Sequence, residues 1–181
     1  MSFLSQGGSS IEWAGDQILR SDICKHDVVI WGITGLNRLL HYDQTGNAMH
    51  ILPGKFNPDH PFFFTVKTEI PNRDLWIKLL NDEARLPHSI RIIAQVISYC
   101  IKVNCHLILC FHPELSMPDQ SAEMLKYLKS TGLYVDLYQT LDCGTYIDYA
   151  TDNKHPGVQT HKIWAKTLIE FIKHKEYINE A

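Results

Sequence analysis

Two continuous apolar runs constrain the fold of this chain more than any other feature. Residues 27–33 (DVVIWGI) and 106–111 (HLILCF) are dominated by β-branched and large apolar side chains and show no polar alternation. Strands of this kind are buried on both faces, which is typical of a parallel sheet covered by helices. Residues 133–138 (LYVDLY) predict a weaker third strand, and residues 2–5 predict a short fourth strand before a pair of glycines.

Helical patterns alternate with these runs. The first helix is predicted at 11–19, after Ser9 or Ser10 as N-cap; the others are predicted at 89–102, from about Asp119 to Gly132, and at 158–174. Strands that alternate with helices indicate an α/β fold with a parallel sheet covered on both sides. A chain of 181 residues, 45% of them apolar, is expected to form one domain over residues 1–181.

The segment 39–73 has a different composition. It is rich in Pro, Gly, Asn and aromatic residues, and it shows no sustained period. We interpret it as a loop-rich excursion that leaves from the end of the strand at 27–33. Ligands of open α/β sheets bind beyond the carboxyl ends of the strands, so the segment either walls a substrate cleft or packs its own aromatic residues.

Charge and cysteine content exclude several classes of partner and compartment. With 17 basic and 20 acidic residues the net charge is −3, so we expect neither a nucleic acid nor a membrane surface as partner. The five cysteines form an odd set without CxxC spacing, and three of them lie in apolar runs. They favour a reducing, cytoplasmic compartment, and the first residues resemble neither a secretory signal nor an anchor.

The strongest chemical motif is residues 152–157 (DNKHPG), which precedes the last predicted helix. In acyl transfer a histidine takes the proton of the nucleophile, and a carboxylate fixes the histidine tautomer and stabilises the imidazolium. The spacing of Asp152 and His155 in one loop permits that contact.

Residues 152–172 resemble the last block of the SGNH (GDSL-like) hydrolases, a DxxHP loop that leads into the C-terminal helix. The resemblance identifies Asp152 as catalytic acid and His155 as catalytic base, and it includes His161, a candidate substrate-binding residue, and Trp164. It implies a three-layer α/β/α fold with a mostly parallel, flavodoxin-like sheet. It also implies a serine-type esterase or O-acyltransferase that acts on a carbohydrate or small-molecule ester without a cofactor.

Two further blocks of that family match in part. Residues 7–10 (GGSS) resemble the block in which a glycine N–H, here Gly8, contributes to the oxyanion hole; an ordinary glycine turn with an N-cap serine explains the same letters. The block that usually supplies an asparagine departs from the pattern, since Thr34 occupies that position and Asn37 follows three residues later. Arg38 replaces the usual aspartate and either binds an anionic group of the substrate or forms a surface salt bridge.

The family's nucleophile is missing from these residues. No GDS tripeptide occurs in the sequence, so the resemblance implies that the serine and its strand lie upstream of Met1. That strand lies inside the family's sheet, and its absence would expose edges that a second copy of the chain can complete. Ser9 or Ser10 as nucleophile is the alternative, although the short distance to the next strand disfavours it.

Two other classes of function stay open at this point. The first is a catalytically silent binding or assembly module that keeps the fold without the serine. The second is a metal-dependent hydrolase with His112, Glu114, Asp152 and His161 as ligands, although their spacing matches no compact zinc pattern.

Overall fold

Eight helices and strands form the described part of the chain. The computed structural model describes residues 10–34, 36, 39–42, 48–51, 84–111, 118–137, 147–151 and 156–175. In chain order the elements are α1 (Ile11–Arg20), β1 (Val28–Ile33), β2 (Leu39–Tyr42), β3 (Ala48–Ile51), α2 (Arg85–Val103), β4 (His106–Phe111), α3 (Pro118–Ser130) and α4 (Val158–His174).

The two apolar runs pair with each other, and their pairing is parallel, as predicted for the sheet. β1 and β4 are in register from Val28 opposite His106 to Ile33 opposite Phe111. Two parallel strands require a crossover, and α2 lies in the connection between them. The described chain is therefore a mixed α/β structure with a parallel β1–β4 pair.

The third predicted strand is reduced to one parallel bridge on the other side of β4. The N–H of Leu109 donates to the carbonyl of Leu133 (2.9 Å), and the N–H of Val135 donates to the carbonyl of Leu109 (2.8 Å). β4 thus lies between two parallel neighbours, which explains why five of its six residues are buried. The short strand predicted at residues 2–5 lies outside the described residues.

Helices cover both faces of β4. Leu107, Leu109 and Phe111 belong to one apolar cluster with residues of α1, α2 and α3, whereas Ile108 and Cys110 belong to a second cluster with residues of α4. The side chains of a strand alternate between its two faces, so these clusters lie on opposite sides of the sheet. The absence of polar alternation in the sequence follows from this arrangement.

The helix α2 begins at Arg85, four residues before the predicted start at Ser89. Pro87 explains the difference, because proline is tolerated in the first helical turn, where its missing N–H has no intrahelical partner. Ser89 is fully buried within the helix and does not cap it. The other helix predictions agree with the structure within two residues at each end, and that of α4 agrees at both ends.

A Schellman motif ends α2, and β4 begins two residues after its left-handed residue. Asn104 has a left-handed backbone (φ 61°), the N–H of Cys105 donates to the carbonyl of Cys100 (3.0 Å), and the N–H of Asn104 donates to Ile101 (3.1 Å). These two hydrogen bonds satisfy helix carbonyls that would otherwise lack donors.

A hairpin occupies the start of the segment that the sequence predicts as a loop-rich excursion. β2 and β3 pair antiparallel, with Leu39 opposite Ile51 and Tyr42 opposite Ala48. The sequence does not predict these strands, because each has only four residues, too few to show a period. Residues 52–83 lie outside the described part of the chain.

None of the helices in the described ranges combines the length and the apolar composition that crossing a bilayer requires.

Gly15 sets how closely α1 approaches α2. A Cβ at this position would lie 2.7 Å from Cγ2 of Ile92, closer than real Cβ atoms come to a neighbour, and 3.6 Å from the Trp31 ring. Cγ2 of a β-branched side chain moves only if the whole side chain changes rotamer. Glycine is therefore required by the helix crossing, although it weakens the isolated helix.

We expect Gly15→Ala to destabilise the protein by about 1 kcal/mol. The gain in helix propensity is about 1 kcal/mol, and an overpacked methyl group costs about 1–3 kcal/mol. Urea unfolding of a double-mutant cycle with Ile92→Ala measures the effect. In the Ile92→Ala background the same change should be neutral or stabilising; a stabilising effect of Gly15→Ala in the wild-type background would contradict the close contact.

Candidate active site

The structure describes three of the site residues predicted from the sequence. These are Ser10, Thr34 and His161. The other predicted site residues lie outside the described residues, namely Gly8, Ser9, Asn37, Arg38, Asp152 and His155. The described part of the candidate site consists of the neighbours of these residues in sequence, at the start of α1, the end of β1 and the start of α4.

Thr34 lies at the carboxyl ends of β1 and β4. It follows Ile33, which pairs with Phe111, so it stands at the sheet edge where ligands of open α/β folds bind. Its hydroxyl oxygen is buried and has no hydrogen-bond partner among the described residues. A buried hydroxyl without a partner is costly and calls for a functional or structural reason. Thr34 can donate a hydrogen bond to a group placed at this edge.

Ser10 is the N-cap of α1. Its hydroxyl oxygen accepts a hydrogen bond from the N–H of Trp13 (3.2 Å), its backbone is extended, and the residue is 0% exposed. The prediction that Ser9 or Ser10 caps this helix is confirmed for Ser10. A hydroxyl that is buried and engaged in capping is poorly suited to attack a substrate, although the role of nucleophile at Ser9 or Ser10 stays a prediction.

A buried polar cluster lies behind this edge, where α1, α2 and the chain after β1 meet. Nη1 of Arg85 donates to Oε1 of Glu12 (2.7 Å), and Nη2 donates to the carbonyl oxygen of Leu36 (3.3 Å). Nε2 of His88 lies 3.6 Å from the same Glu12 oxygen. The side chains of Arg85 and Glu12 are 8% and 14% exposed, so this ion pair is largely removed from water.

A second polar cluster joins the chain on the two sides of the segment that contains Asp152 and His155. We call residues 147–149 and 156–160 the stem of this segment. Tyr149 and Pro156 form an antiparallel bridge, and the N–H of Gly157 donates to the carbonyl of Asp148 (2.8 Å). The chain therefore enters and leaves the 150–155 segment side by side.

Asp148 anchors this stem to the first turn of α4. Its carboxylate accepts hydrogen bonds from the N–H of Gln159 (2.9 Å), the N–H of Thr160 (2.8 Å) and the hydroxyl of Thr160 (2.9 Å). The N-cap residue Gly157 has no side chain to supply these acceptors, so Asp148 caps the helix from a distance in sequence. These hydrogen bonds lower the pKa of Asp148 below its ordinary value, and the largest contribution is the N–H of Gln159.

Thr160 and Gly157 complete the stem. The hydroxyl of Thr160, a residue with 0% exposure, also accepts from the N–H of Ile147 (3.1 Å). A Cβ at Gly157 would overlap the carboxylate of Asp148 and lie 2.9 Å from the carbonyl of Tyr149. The glycine after His155 and Pro156 is therefore required by the approach of Asp148 and has a structural explanation.

His161 is exposed on the first turn of α4. Its ring packs edge-on against Trp164, with ring centroids 5.4 Å apart, and its backbone N–H donates to the carbonyl of Gly157 (3.1 Å). The ring contact restricts the orientation of this exposed imidazole. Its predicted role in substrate binding stays a prediction.

A cysteine nucleophile and a metal ion are alternatives to a serine at this edge. Burial raises the pKa of the Cys110 thiol, near the end of β4, to about 12, so this thiol is protonated at neutral pH and is a poor nucleophile. In the ranges that the structure describes, no group of three or more His, Cys, Asp or Glu residues could hold a metal ion. His112, Glu114 and Asp152 lie outside these ranges.

Sequence reasoning missed Arg85, Glu12, Asp148 and Thr160. Arg85 and Glu12 are 73 positions apart, and Asp148 and Thr160 are 12 positions apart. Neither separation matches a helix-cap or ion-pair spacing, which reaches at most about four residues. The available signal was indirect: Gly157 precedes α4 where a capping side chain is preferred, so an acceptor from elsewhere was needed.

We expect Asp148→Asn to lower the melting temperature at neutral pH and to remove an acid-dependent part of the stability. The pKa of Asp148 is lowered in the folded state, so its contribution is complete above the ordinary carboxyl pKa and is lost as pH falls through the folded pKa. Circular dichroism melts from pH 7 to pH 2 measure the difference from wild type, which should shrink at low pH.

The exposed Asp22 offers the control for this experiment. Asp22→Asn should leave the melting temperature close to that of wild type at every pH. A difference between wild type and Asp148→Asn that persists unchanged to pH 2 would contradict the assignment of the carboxylate as the capping group.

We expect Thr160→Val to destabilise the protein by about 2 kcal/mol. The change removes the hydrogen bond that the hydroxyl donates to Asp148 and the one that it accepts from the N–H of Ile147, and each such hydrogen bond contributes about 0.5–1.5 kcal/mol. Thr167→Val is the matched control, because that hydroxyl only donates to the carbonyl of Ile163 within the same helix (3.1 Å). Equal losses for the two variants in urea unfolding would refute a special role of Thr160.

Comparison with known proteins assigns no family to this site. No family model matches the chain, and neither a curated protein nor a solved structure matches it. The resemblance of residues 152–172 to SGNH hydrolases therefore stays a prediction from the sequence. The functional assignment rests on the residues themselves.

Proposed function

We propose that the chain is a serine-type esterase or O-acyltransferase that acts on an ester of a carbohydrate or another small molecule. The proposal includes a three-layer α/β/α fold with a mostly parallel, flavodoxin-like sheet, of which β1, β4 and the segment at Tyr134 are the described strands. Residues 152–157 supply the sequence support for the activity.

The hydroxyl of Thr34 is the observation that carries the proposal. It is buried at the carboxyl edge of the β1–β4 pair and has no hydrogen-bond partner among the described residues. Acyl transfer needs hydrogen-bond donors aimed at the oxygen that becomes negatively charged in the tetrahedral intermediate. The position of Thr34 in the sequence predicts this same role. Since no acceptor for this hydroxyl is found within the described ranges, the proposal assigns it to a substrate oxygen.

The stem of the 152–155 loop gives independent support. A catalytic histidine must keep a fixed position relative to its nucleophile, because small displacements are costly in rate. The bridge between Tyr149 and Pro156 and the Asp148 cap fix both ends of the loop on α4. The same helix packs on the sheet through Leu168 and Phe171, against Ile108 and Cys110 of β4.

In the proposed mechanism His155 takes the proton of a serine hydroxyl as general base and then passes it to the leaving group as general acid. Asp152 orients the imidazole and stabilises its charged form, while Gly8 with Thr34 or Asn37 binds the oxyanion. Arg38 and His161 contact the substrate. The serine is proposed to come from a strand upstream of Met1, since no GDS tripeptide occurs among the 181 residues.

The second candidate function is a catalytically silent binding module with the same fold. One specific observation favours it: of the two serines that could replace the missing nucleophile, Ser10 is fully buried and caps α1. Such a module would retain the polar edge of the sheet as a binding surface.

A second copy of the chain is a proposed partner in either case. β4 is the single neighbour of β1 among the described residues, and Val28 and Ile30 of β1 are 38% and 49% exposed. An unpaired strand edge with apolar side chains is a template for a further strand. We also propose a reducing, cytoplasmic compartment, because Cys24 is an exposed free thiol.

The test of the proposed activity is fluorophosphonate labelling and hydrolysis of p-nitrophenyl acetate by the longest form of the protein that its coding sequence encodes. Reading the coding sequence upstream of Met1 establishes whether an in-frame strand ends in Gly-Asp-Ser. We expect that form to be labelled, and His155→Ala and Asp152→Asn to lower kcat by about 10²–10⁴-fold.

His174→Ala, an exposed histidine at the far end of α4, is the control and should keep wild-type activity. Upstream sequence without such a serine, together with no labelling and no hydrolysis, would exclude the esterase and favour the silent module. Labelling that survives unchanged in His155→Ala would refute the assigned base.

A further inference from the structure

Arg85 joins two segments that are distant in sequence and that border the proposed site. Its guanidinium donates to Glu12 in the first turn of α1 (2.7 Å) and to the carbonyl of Leu36, which follows β1 (3.3 Å). The contacts span 73 and 49 positions of sequence. One side chain therefore connects the start of α1 with the chain after β1.

Helix stability does not explain an arginine at this place. Arg85 is the first residue of α2, where the helix dipole is positive and a cation is unfavourable. Its side chain is 8% exposed, and taking a charge out of water is costly unless it is paired and hydrogen-bonded. The charge of Glu12 offsets part of this desolvation cost. An apolar pair of similar volume would fill the same space with no desolvation cost at all.

The geometry of the guanidinium points to a different reason. Its planar fork carries several donors in fixed directions, so it can hold a carboxylate and a carbonyl at the same time. Leu36 is 1% exposed, which anchors this residue through its side chain as well as its carbonyl. It lies between Thr34 and Asn37, the two residues proposed to bind the oxyanion. Glu12 stands two residues after the cap Ser10, and Gly8 precedes that cap.

We propose that Arg85 is a positioning residue that, with Glu12, holds the chain after β1 in a fixed place relative to the start of α1. It thereby sets where Thr34, one of the groups proposed to bind the oxyanion, lies relative to the start of α1. This second step rests on the proposed function, whereas the first step concerns the fold alone.

The test compares Arg85→Lys and Arg85→Met with the control Arg20→Met. Lysine keeps the charge beside Glu12 but has no rigid fork to reach Leu36 as well, so it separates charge from geometry. Arg20 forms an exposed ion pair with Asp16 on α1, with Nε and Oδ1 2.8 Å apart and the arginine side chain 74% exposed. The control removes an arginine–carboxylate pair from the same helix without touching the buried cluster.

Amide hydrogen exchange by NMR tests the first step without reference to activity. In both Arg85 variants we expect exchange at Thr34 and Leu36 to be accelerated by about tenfold or more, with unchanged exchange at Ile93 and Val96 in the middle of α2. Arg20→Met should match wild type at all four amides. Wild-type exchange at Thr34 and Leu36 in Arg85→Lys, or an equal acceleration at all four amides, would overturn the positioning role.

Kinetics of p-nitrophenyl acetate hydrolysis by the active form test the second step. Arg85→Lys should lower kcat by about 10²-fold, because misplaced donors no longer meet the oxyanion, while KM stays within about twofold. An unchanged kcat together with accelerated exchange would overturn the link to the oxyanion and leave the esterase in place. Absence of activity in wild type would instead refute the proposed function, and the exchange result alone would then decide the positioning role.

Discussion

The in-register parallel pairing of β1 with β4 is the constraint on which the rest of the described structure depends. Parallel strands cannot be joined by a tight turn, so the chain must cross over between them, and α2 packs on the sheet in that connection. The same pairing brings the carboxyl ends of both strands to one edge. Thr34, the residue after β1, lies at this edge, and apolar residues fill the two faces of β4.

Two polar contacts join segments that are distant in sequence. Arg85 joins α1 to the chain after β1, and Asp148 joins the chain before residue 150 to α4. In both cases a charged group is held by several hydrogen bonds rather than by one. The Arg85 contact is largely buried, so an arrangement in which one of its partners is displaced is costly. Apolar packing at these places would tolerate small shifts more readily.

The sequence predicts the strands of continuous apolar composition but not the contacts between distant residues. The run at 106–111 forms a strand buried on both faces, as its lack of polar alternation predicts. The run at 27–33 also forms a strand, but the prediction that both of its faces are buried is wrong for the described residues, because Val28 and Ile30 on one face are exposed. α4 was identified because its apolar face repeats at helical spacing. The run at 133–138 contains Asp136, and its part that the structure describes, up to residue 137, pairs with β4 at Tyr134 alone. Composition does not predict where in such a run the pairing ends. The hairpin β2–β3 was missed because its strands have four residues each, too few to show a period.

The site divides along the same line. Thr34 was predicted because it matches the family's asparagine position at the end of a recognisable strand, and the helix cap at Ser10 was predicted because serine before a helix is a local signal. Arg85 and Asp148 act across the fold, and their partners follow from the topology rather than from spacing. Residues that perform chemistry are recognisable by type and motif, whereas residues that hold them in place are ordinary charged residues until the chain is folded. For this reason the supporting contacts, rather than the motif residues, are the part of the site that a structure adds.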